Sequence, residues 1–419
     1  MKLLPFVLCV AALPLFAGEN WPQFRGPNGD GRSDAKGLPV EFGEGVKVKW
    51  KADTHGKAWS SPVIWKNQIW ITTATEDGKE LGVMAFDKTT GDVLHDKVLF
   101  KVETPQFCHK FNSYASPTPV IEEGRIYVSF GSPAIACLDT KTCAVLWERR
   151  DFECNHYRGA GSSPVIWKDL MFYPFDGSDR QFIVALNKKT GKTAWEVKRS
   201  VDYKDIQADG TIEADGDWRK AFATPHVTEW QGQPLLLSSG AKAHYAYEPA
   251  TGKEVWRFDE HGAHSAASRP VVGLGMVFIP VGFGKKQIVA LKLGGKGALD
   301  ESSVAWRVLK GAPNKPSLLL DGELLYAVDD SGIVTCVEAK TGAEVWKERI
   351  GGNFSASPIF ADGRIYLFAE DGKVTVIAAG REFKKLGEGK FDDGFMAAPA
   401  VSVKALFVRT KSALYRVEE

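Results

Sequence analysis

The sequence has no excess of charge of either sign. Lysine and arginine number 53, aspartate and glutamate number 52, and the formal net charge is +1 at pH 7. A protein that binds nucleic acid or an anionic membrane needs a strong positive field, which this composition does not supply. With 44% hydrophobic and 25% charged residues, the chain also differs from disordered proteins. We therefore expect a globular protein with a sizeable core and no nucleic-acid partner.

The chain also lacks an apolar segment long enough to cross a membrane. Its longest apolar run, Leu3 to Phe16, follows Lys2 and ends at Ala17. A transmembrane helix needs about 20 apolar residues, whereas a positive start, a shorter apolar run and a small-residue exit are typical of a secretory signal peptide. We predict a signal peptide over residues 1–17 and an exported protein, periplasmic or extracellular, with no transmembrane segment after its removal.

Several motifs of common enzyme and metal-binding families are missing. The six cysteines form no adjacent pair and no Cys-x-x-Cys-His, which would attach a haem covalently. The chain has no phosphate-binding loop, no dinucleotide fingerprint, no His-Glu-x-x-His and no Gly-x-Ser-x-Gly. No metal ligands are assigned from the sequence.

What the sequence does contain is an internal repeat, within a composition rich in glycine (42), proline (21) and tryptophan (13). A Thr-Gly turn followed by a tryptophan recurs along the chain. Glycine adopts positive φ at such a turn without steric cost, and a large flat tryptophan on an outer strand can fill the gap between neighbouring sheets. The structural residues of this motif are Trp50, Trp147, Gly191, Trp195, Gly252, Trp256, Trp306, Gly342 and Trp346.

A second phrase, usually a small residue followed by proline and a short apolar run, marks the start of each unit. Eight starts lie between Pro62 and Pro399, about 48 residues apart, a spacing typical of four-stranded propeller blades. The last unit has only three strands, and Val46 to Trp50 can supply the fourth. We predict an all-β, eight-bladed β-propeller of four-stranded antiparallel blades, with the last blade closed by the N-terminal strand. Residues 18–45 form an N-terminal extension, and residues 46–419 form a single propeller.

These phrases resemble the PQQ-like propeller repeat that quinoprotein dehydrogenases share with BamB-type envelope proteins. The opening segment from Trp21 to Pro27 looks like the lead-in of secreted members. The resemblance covers essentially the whole mature chain. It implies the fold more strongly than the function, because the repeated tryptophan and glycine are packing residues. A BamB-like member is expected to be a monomer with a protein partner in the cell envelope, or with a small ligand at the channel face.

The resemblance to quinoprotein dehydrogenases implies a set of active-site groups. Such enzymes stack PQQ on a tryptophan, hold Ca²⁺ with carboxylate and amide oxygens, use an aspartate base, and often have a disulfide between adjacent cysteines. This chain lacks the adjacent cysteines, and eight blades leave little chain for large insertions. We expect no firmly bound cofactor, with PQQ and calcium as the open alternative. In that alternative the stacking residue is Trp59 or Trp218, the base is Asp217 or Asp393, and the calcium ligand is Asn112 or Asn353.

Equivalent loops of a propeller converge around the central channel on one face, so residues scattered in sequence meet there. Three interpretations remain open for the loop residues that meet at this face. They form a hydrated channel mouth; or Cys108 and Cys154, in equivalent loops, form a disulfide in an oxidising compartment; or they form a ligand or metal site with thiolate and imidazole donors. The candidate ligand-binding residues in these loops are His55, Trp59, His109, Asn112, His156, Arg158, Trp218, Arg219, His261 and His264.

Three functions follow from this pattern. The leading hypothesis is an exported, non-catalytic binding or scaffold module of the cell envelope, similar to BamB-type proteins. The first alternative is a compact PQQ-dependent dehydrogenase, and the second is a polysaccharide-binding propeller.

Overall fold

The computed structural model describes residues 18–419, so the predicted signal peptide lies outside the described residues. These residues form eight antiparallel sheets of four blade strands each, arranged around a central channel. The only helices in this range are two short 3₁₀ segments, Glu213–Arg219 and Glu301–Ser303. Neither is long and apolar enough to cross a membrane. The predicted eight-bladed propeller is confirmed.

Each of the first four blades is a complete meander, preceded in the chain by two strands that join later blades. The first strand of each blade lies at the channel, and contacts between first strands of neighbouring blades join blades 1 and 2, 3 and 4, 5 and 6, and 8 and 1. The strands are β1 (Arg32–Ser33) and β2 (Val48–Asp53); blade 1, β3 (Val63–Trp65), β4 (Gln68–Ala74), β5 (Glu80–Asp87) and β6 (Val93–Lys101); blade 2, β7 (Val120–Glu122), β8 (Arg125–Ser129), β9 (Ile135–Asp139) and β10 (Val145–Arg149); blade 3, β11 (Val165–Trp167), β12 (Leu170–Asp176), β13 (Gln181–Asn187) and β14 (Thr193–Lys198); and blade 4, β15 (His226–Trp230), β16 (Gln233–Ser239), β17 (Ala243–Tyr247) and β18 (Glu254–Asp259).

The second half of the chain adds three small strands to the remaining blades. Of these, β19 (Ala263–His264) pairs with β22 (Phe283–Gly284), and β24 (Gly297–Leu299) lies parallel to β18 at the edge of blade 4. The blade strands are β20 (Val271–Gly273), β21 (Met276–Pro280), β23 (Ile288–Lys292) and β25 (Val304–Val308) in blade 5; β26 (Leu319–Asp321), β27 (Leu324–Val328), β28 (Ile333–Glu338) and β29 (Glu344–Arg349) in blade 6; β30 (Ile359–Ala361), β31 (Arg364–Phe368), β32 (Lys373–Ala378) and β33 (Lys385–Lys390) in blade 7; and β34 (Ala400–Ser402), β35 (Ala405–Arg409) and β36 (Ala413–Glu418) in blade 8.

Blade 8 is completed by the N-terminal strand. β2 pairs antiparallel with β36, with Lys51 opposite Tyr415 and Asp53 opposite Ala413. The Trp50 ring packs against Phe407 at 6.0 Å between centroids. The ring of blades is therefore closed by hydrogen bonds between the two ends of the chain, which confirms the predicted shared blade.

The tryptophan of one blade docks on the Thr-Gly turn of the next blade. The Trp147 indole N–H donates to Lys188 O at 2.9 Å, and a Cβ at Gly191 would lie 2.7 Å from the Trp147 ring. The same arrangement joins Trp195 to the turn at Gly252. Glycine is required at this turn for two reasons, since φ is near +70° and the neighbouring indole leaves no room for a side chain.

This contact between blades also explains where the motif is broken. Blade 1 has His95 in place of the tryptophan, and blade 2, which follows it, has Cys143 in place of the turn glycine. Cys143 adopts a φ of +54°, and Lys97 donates to its carbonyl at 2.9 Å. The two departures occur at one interface, because a side chain fits on the turn where no indole covers it.

Hydroxyl groups at the start of the blades join neighbours around the channel. Ser61 N donates to Thr118 Oγ1, Thr118 N to Ser163 Oγ, and Ser163 N to Thr224 Oγ1, all at 2.9–3.0 Å. Ser317 plays the same part in blade 6. The blade-start phrase therefore has a structural purpose, since each hydroxyl satisfies a backbone N–H of the preceding blade.

Replacing one of these hydroxyls should destabilise the propeller measurably. Thr118→Val keeps the shape but leaves the buried Ser61 N–H without an acceptor, so we expect a loss of about 1–2 kcal/mol in the free energy of unfolding. Thr335→Val is the matched control, because Thr335 Oγ1 is buried without a hydrogen-bond partner among residues 18–419. Denaturant titration should show the control to be neutral or stabilising. Equal losses in both variants would contradict this role for the hydroxyl.

The N-terminal extension crosses the channel and packs as part of the propeller. Trp21 forms a bridge to Ile64 in the first strand of blade 1, and Arg269 of blade 5 donates to Phe24 O at 2.6 Å. Arg25 is 1% exposed and donates to Leu318 O in blade 6 at 2.5 Å. Further along, β1 runs parallel to β30 of blade 7. The extension therefore fills the middle of the channel before the chain reaches β2.

Candidate functional site

A cavity of about 550 Å³ lies at one end of the central channel. Because every blade has the same antiparallel order, the segments that lead into the first strands all lie on one face, which we call the mouth face. Phe24 of the extension contributes to the lining. We call this space the mouth cavity; it is lined by Phe24, Trp59, Ser61, His109, Phe111, Asn112, Ser116, Thr118, Arg158, Gly161, Ser163, Asp217, Lys220, Phe222, Thr224, His264, Ser265, Ala267, Phe283, Lys315, Ser355, Ser357, Met396 and Ala398.

One carboxylate, Asp217, lines the mouth cavity, and two cations hold it. Arg158 donates to both carboxylate oxygens at 3.2 and 3.1 Å, and Lys220 Nζ donates to the carboxylate and, at 2.6 Å, to the Asp217 carbonyl. Burial alone would raise the pKa of Asp217, but these hydrogen bonds and charges outweigh it and lower that pKa. Asp217 is therefore ionised, and both of its carboxylate oxygens already accept hydrogen bonds, which makes it a poor general base.

The cation at the opposite wall is also partly neutralised. Lys315 Nζ lies 3.0 Å from Glu370 and 3.5 Å from Asp330, and 4.3 Å from the centroid of the Phe111 ring. Neither of the two acids lines the mouth cavity. The lining itself thus carries three cations and one carboxylate.

Two histidines line the cavity. His264 lies between the rings of Trp218 and Phe283, with centroids 6.0 and 6.4 Å away, and His109 Nδ1 accepts the Phe111 N–H at 3.3 Å. Burial lowers the pKa of both imidazoles, with further lowering by Lys220 for His264 and by Arg158 for His109. Both rings are therefore neutral at pH 7 and add no charge to the cavity.

The structure brings together some of the predicted site residues. Asn112 bridges the loops, since its amide nitrogen donates to Arg158 O and Ala160 O at 3.0 and 3.2 Å. Trp218 stands behind the lining, against His264. The predicted residues that line the mouth cavity are Trp59, His109, Asn112, Arg158, Asp217 and His264.

The other predicted residues do not line the cavity. His55 is exposed and pairs with Asp96 at 2.8 Å, and Arg219 pairs with Asp205 at 2.6 Å. His156 is 6% exposed, and its Nε2 accepts the Ser132 N–H at 2.9 Å. His261 and Asp393 also lie outside the lining. A loop position on the mouth face thus does not by itself place a side chain in the cavity.

The possible Cys108–Cys154 disulfide is not formed in the structure. Both thiols are free, and their sulfur atoms have separate contacts, Cys108 with Arg158 O and Cys154 with Arg180 O, each at 3.8 Å. Burial raises the pKa of Cys108 to about 11, so its thiol is protonated at neutral pH. A reactive thiolate is not available here.

Four groups of lining residues are absent from the sequence-based prediction. They are the cations Lys220 and Lys315, the rim residues Phe111 and Phe283, the lining residue Phe24, and the ring of hydroxyls. Lys220 follows Asp217, Trp218 and Arg219 in the same loop, and the sequence alone does not indicate which side chain of this loop enters the cavity. Phe24 belongs to the extension, and no periodicity indicates that it enters the channel.

The lining does not fit a calcium–quinone centre. Within residues 18–419 no group of three or more His, Cys, Asp or Glu side chains is arranged to hold a metal ion. Of the candidate calcium ligands, Asn112 is engaged, because its Oδ1 accepts the Ser116 hydroxyl at 2.6 Å, and Asn353 lies outside the lining. The candidate base Asp217 is held by two cations. Ca²⁺ is held largely by carboxylate and carbonyl oxygens, and the carboxylate and the side-chain amide oxygen of this lining are already engaged.

Comparison with known proteins identifies the family to which the repeat belongs. The family described as "Outer membrane protein assembly factor BamB" matches residues 102–218, 181–313 and 245–381. These segments span about two thirds of the chain. The chain belongs to this family of PQQ-like propeller repeat proteins.

Individual members and relatives of this family have different activities. The chain is 26% identical over 222 residues to the outer membrane protein assembly factor BamB of Yersinia pestis, covering 48% of this chain and 50% of that protein. It is 27% identical over 156 residues to methanol dehydrogenase [cytochrome c] subunit 1 of Methylobacterium organophilum, covering 33% of this chain and 22% of that protein. The chain spans at most half the length of these curated relatives.

Solved structures of both kinds share the fold. BamB from Moraxella catarrhalis superposes with a TM-score of 0.58 at 12% identity, covering 88% of this chain and 99% of that one. Quinohemoprotein alcohol dehydrogenase from Comamonas testosteroni superposes with a TM-score of 0.69 at 12% identity, covering 96% and 80%. At such identities the likeness concerns the fold alone, and the site must decide the function.

Proposed function

We propose that this member of the PQQ-like propeller family is an exported, non-catalytic binding module of the cell envelope, similar to BamB-type proteins. Its binding site is the mouth cavity together with the apolar rim around it. The observation that carries this proposal is the state of Asp217, the one carboxylate of the lining, which Arg158 and Lys220 occupy. The cavity volume falls within the range of ligand sites.

The mouth face also has the exposed apolar side chains expected of an interaction surface. Phe107 is 66% exposed, Phe283 41% and Phe111 39%. Exposed aromatic residues around a concave site favour contact with a partner over contact with water. The family match to BamB supports a partner in the envelope, and the predicted signal peptide supports export.

Site-specific photo-crosslinking in intact cells tests this proposal. A photoreactive phenylalanine analogue at Phe107 should give an adduct, whereas the same analogue at Leu274 should not. Leu274 is 42% exposed and lies in the turn between β20 and β21, on the face opposite the mouth. Adducts of equal yield from both positions, or from neither, would contradict the proposed binding face.

A second candidate function is a compact PQQ-dependent dehydrogenase, favoured by the relatives among methanol dehydrogenases. The two functions predict different results for protein mixed with PQQ and Ca²⁺. A binding module should give no dye-linked oxidation of alcohols or sugars, with or without Ca²⁺. Oxidation that requires both PQQ and Ca²⁺ would overturn the non-catalytic proposal.

A further inference from the structure

We propose that the mouth cavity binds the C-terminal carboxylate of a protein partner whose last residue is hydrophobic. The inference rests on the proposed function, since it names the chemistry by which a partner enters the cavity. Three features of the site support it: the supply of hydrogen-bond donors, the charge of the lining and the exposed rim.

The lining is rich in unused hydrogen-bond donors. The hydroxyls of Thr118, Ser163, Thr224 and Ser357 each accept a backbone N–H from the preceding blade. None of these four O–H groups donates to another atom of residues 18–419, so each proton is free to be donated into the cavity. Arg158 uses Nε and one terminal nitrogen on Asp217, and its other terminal nitrogen makes no hydrogen bond within the described chain.

The carboxylate and amide oxygens of the lining and the Nδ1 atom of His109 are, by contrast, already engaged as acceptors. Asp217 is occupied by two cations, and Asn112 Oδ1 accepts from Ser116. His109 Nδ1 accepts from Phe111 N. A polysaccharide needs acceptors as well as donors for its hydroxyls, whereas a carboxylate only accepts. The donor excess therefore favours an oxyanion over a sugar.

The charge of the lining also favours a negatively charged ligand. Arg158 and Lys220 face one carboxylate, Asp217, whereas Lys315 is paired with Glu370 and Asp330. Both lining histidines are held neutral by burial and nearby cations. A bound carboxylate would share Arg158 and Lys220 with Asp217. Charge-assisted hydrogen bonds of this kind are stronger than hydrogen bonds between neutral groups.

The rim indicates that the ligand extends beyond the cavity. Phe111 and Phe283 line the cavity and are still 39% and 41% exposed, and the nearby Phe107 is 66% exposed. A small ligand held wholly inside would leave these rings in water. A peptide can place its last side chain among Trp59, Phe111 and Phe222 and pass outward over the rim, in a recognised mode of terminal carboxylate capture.

Fluorescence anisotropy with labelled hexapeptides tests the proposal on the mature protein. The probe ends in Ala-Val-Phe with a free carboxylate, and its control is the same peptide with a C-terminal amide. We expect the acid to bind at least about tenfold more tightly than the amide, as charge-assisted hydrogen bonds imply. Equal affinities would overturn the carboxylate proposal while leaving a binding cavity in place.

Two substitutions with opposite expected effects make the test specific. Arg158→Gln removes a donor and should weaken acid binding about tenfold, whereas Asp217→Asn removes the competing anion and should strengthen it. Arg180→Gln is the matched control, because Arg180 is 43% exposed at its side chain, close to the 40% of Arg158, and lies outside the lining. Weakened binding in Asp217→Asn, or equal effects of Arg158→Gln on acid and amide, would overturn the proposal.

The length of the ligand is tested with N-acetylphenylalanine as competitor. A peptide ligand predicts that this single residue competes at least tenfold more weakly than the hexapeptide acid. If the two compete equally, the cavity takes a small organic acid, and the peptide proposal fails. If no compound binds, the carboxylate proposal fails, while the proposed function still stands or falls on the crosslinks at positions 107 and 274.

Discussion

Lowering the pH from 7 to 5 is expected to destabilise this protein steeply, because three histidines are buried in their neutral form. His156, His226 and His244 are 6%, 8% and 2% exposed. Burial is the main cause that lowers their pKa values, to about 4 for His156 and about 3 for the other two. For His226, the nearby Arg269 and Arg25 lower the pKa further.

The sign of the effect follows from proton binding. These histidines have a pKa of about 6.5 when unfolded, so below that pH the unfolded chain binds up to three more protons than the native protein. Each proton contributes about 1.4 kcal/mol per pH unit, and three give a slope of about 4 kcal/mol per unit between pH 6.5 and about 4. The stabilisation is complete above pH 6.5 and is lost as the pH falls. The hydrogen bond of His156 supports its neutral state. Its Nε2 accepts the Ser132 N–H, so a proton on Nε2 would place two donors opposite each other.

Urea unfolding at several pH values between 7.5 and 5 measures this slope. His244→Gln should reduce the slope by about one third, whatever it does to stability at pH 7.5, because one proton no longer binds on unfolding. His55→Gln is the control, since it removes an exposed imidazole without altering a buried site. A free energy of unfolding that stays constant from pH 7 to 5 would contradict the neutral, buried state of these histidines.

The fold was predictable because the tryptophan and glycine of its repeated motif make the same contact between successive blades. Trp147 and Gly191, for example, belong to different blades and meet at their interface, so the spacing of the motif reports the spacing of blades. The position of β2 in blade 8 followed from a missing strand at one end and a spare one at the other. The path of residues 18–45 was not predictable, because Trp21 pairs with Ile64 in blade 1 and Arg25 donates to Leu318 O in blade 6, and no repeat in the sequence indicates either contact.

The candidate site was predictable at the level of loops and not of side chains. Equivalent loops do meet at the mouth face, and this placed Trp59, His109 and His264 together. Within a loop, however, local backbone decides which side chain faces the channel. His156 turns inward to accept a backbone N–H, while the neighbouring Arg158 reaches Asp217. No pattern in the sequence distinguishes these two directions.

The closure strand supplies the second large expected effect. Thr54 N donates to Ser412 O at 2.8 Å, and hydrogen-bonded pairs alternate along an antiparallel ladder, so Ala52 is hydrogen-bonded to Leu414 while Asp53 points its N–H away from β36. Ala52→Pro removes a ladder hydrogen bond and leaves the buried Leu414 carbonyl without its donor. We expect a loss of about 2–4 kcal/mol in the free energy of unfolding. Asp53→Pro, one residue along the same strand, should cost much less.

Deleting residues 46–52 should have a still larger effect, because it removes the strand that joins the two ends of the ring. β36 would become an exposed edge, and the Phe407 ring would lose its contact with Trp50. We expect a thermal midpoint lowered by many degrees and a broader transition, measured by circular dichroism, since blade 8 would no longer hold blade 1 in register. An unchanged midpoint, or equal losses in Ala52→Pro and Asp53→Pro, would mean that the propeller does not depend on this closure. Such a result would mean that the packing of the extension across the channel holds the ring together.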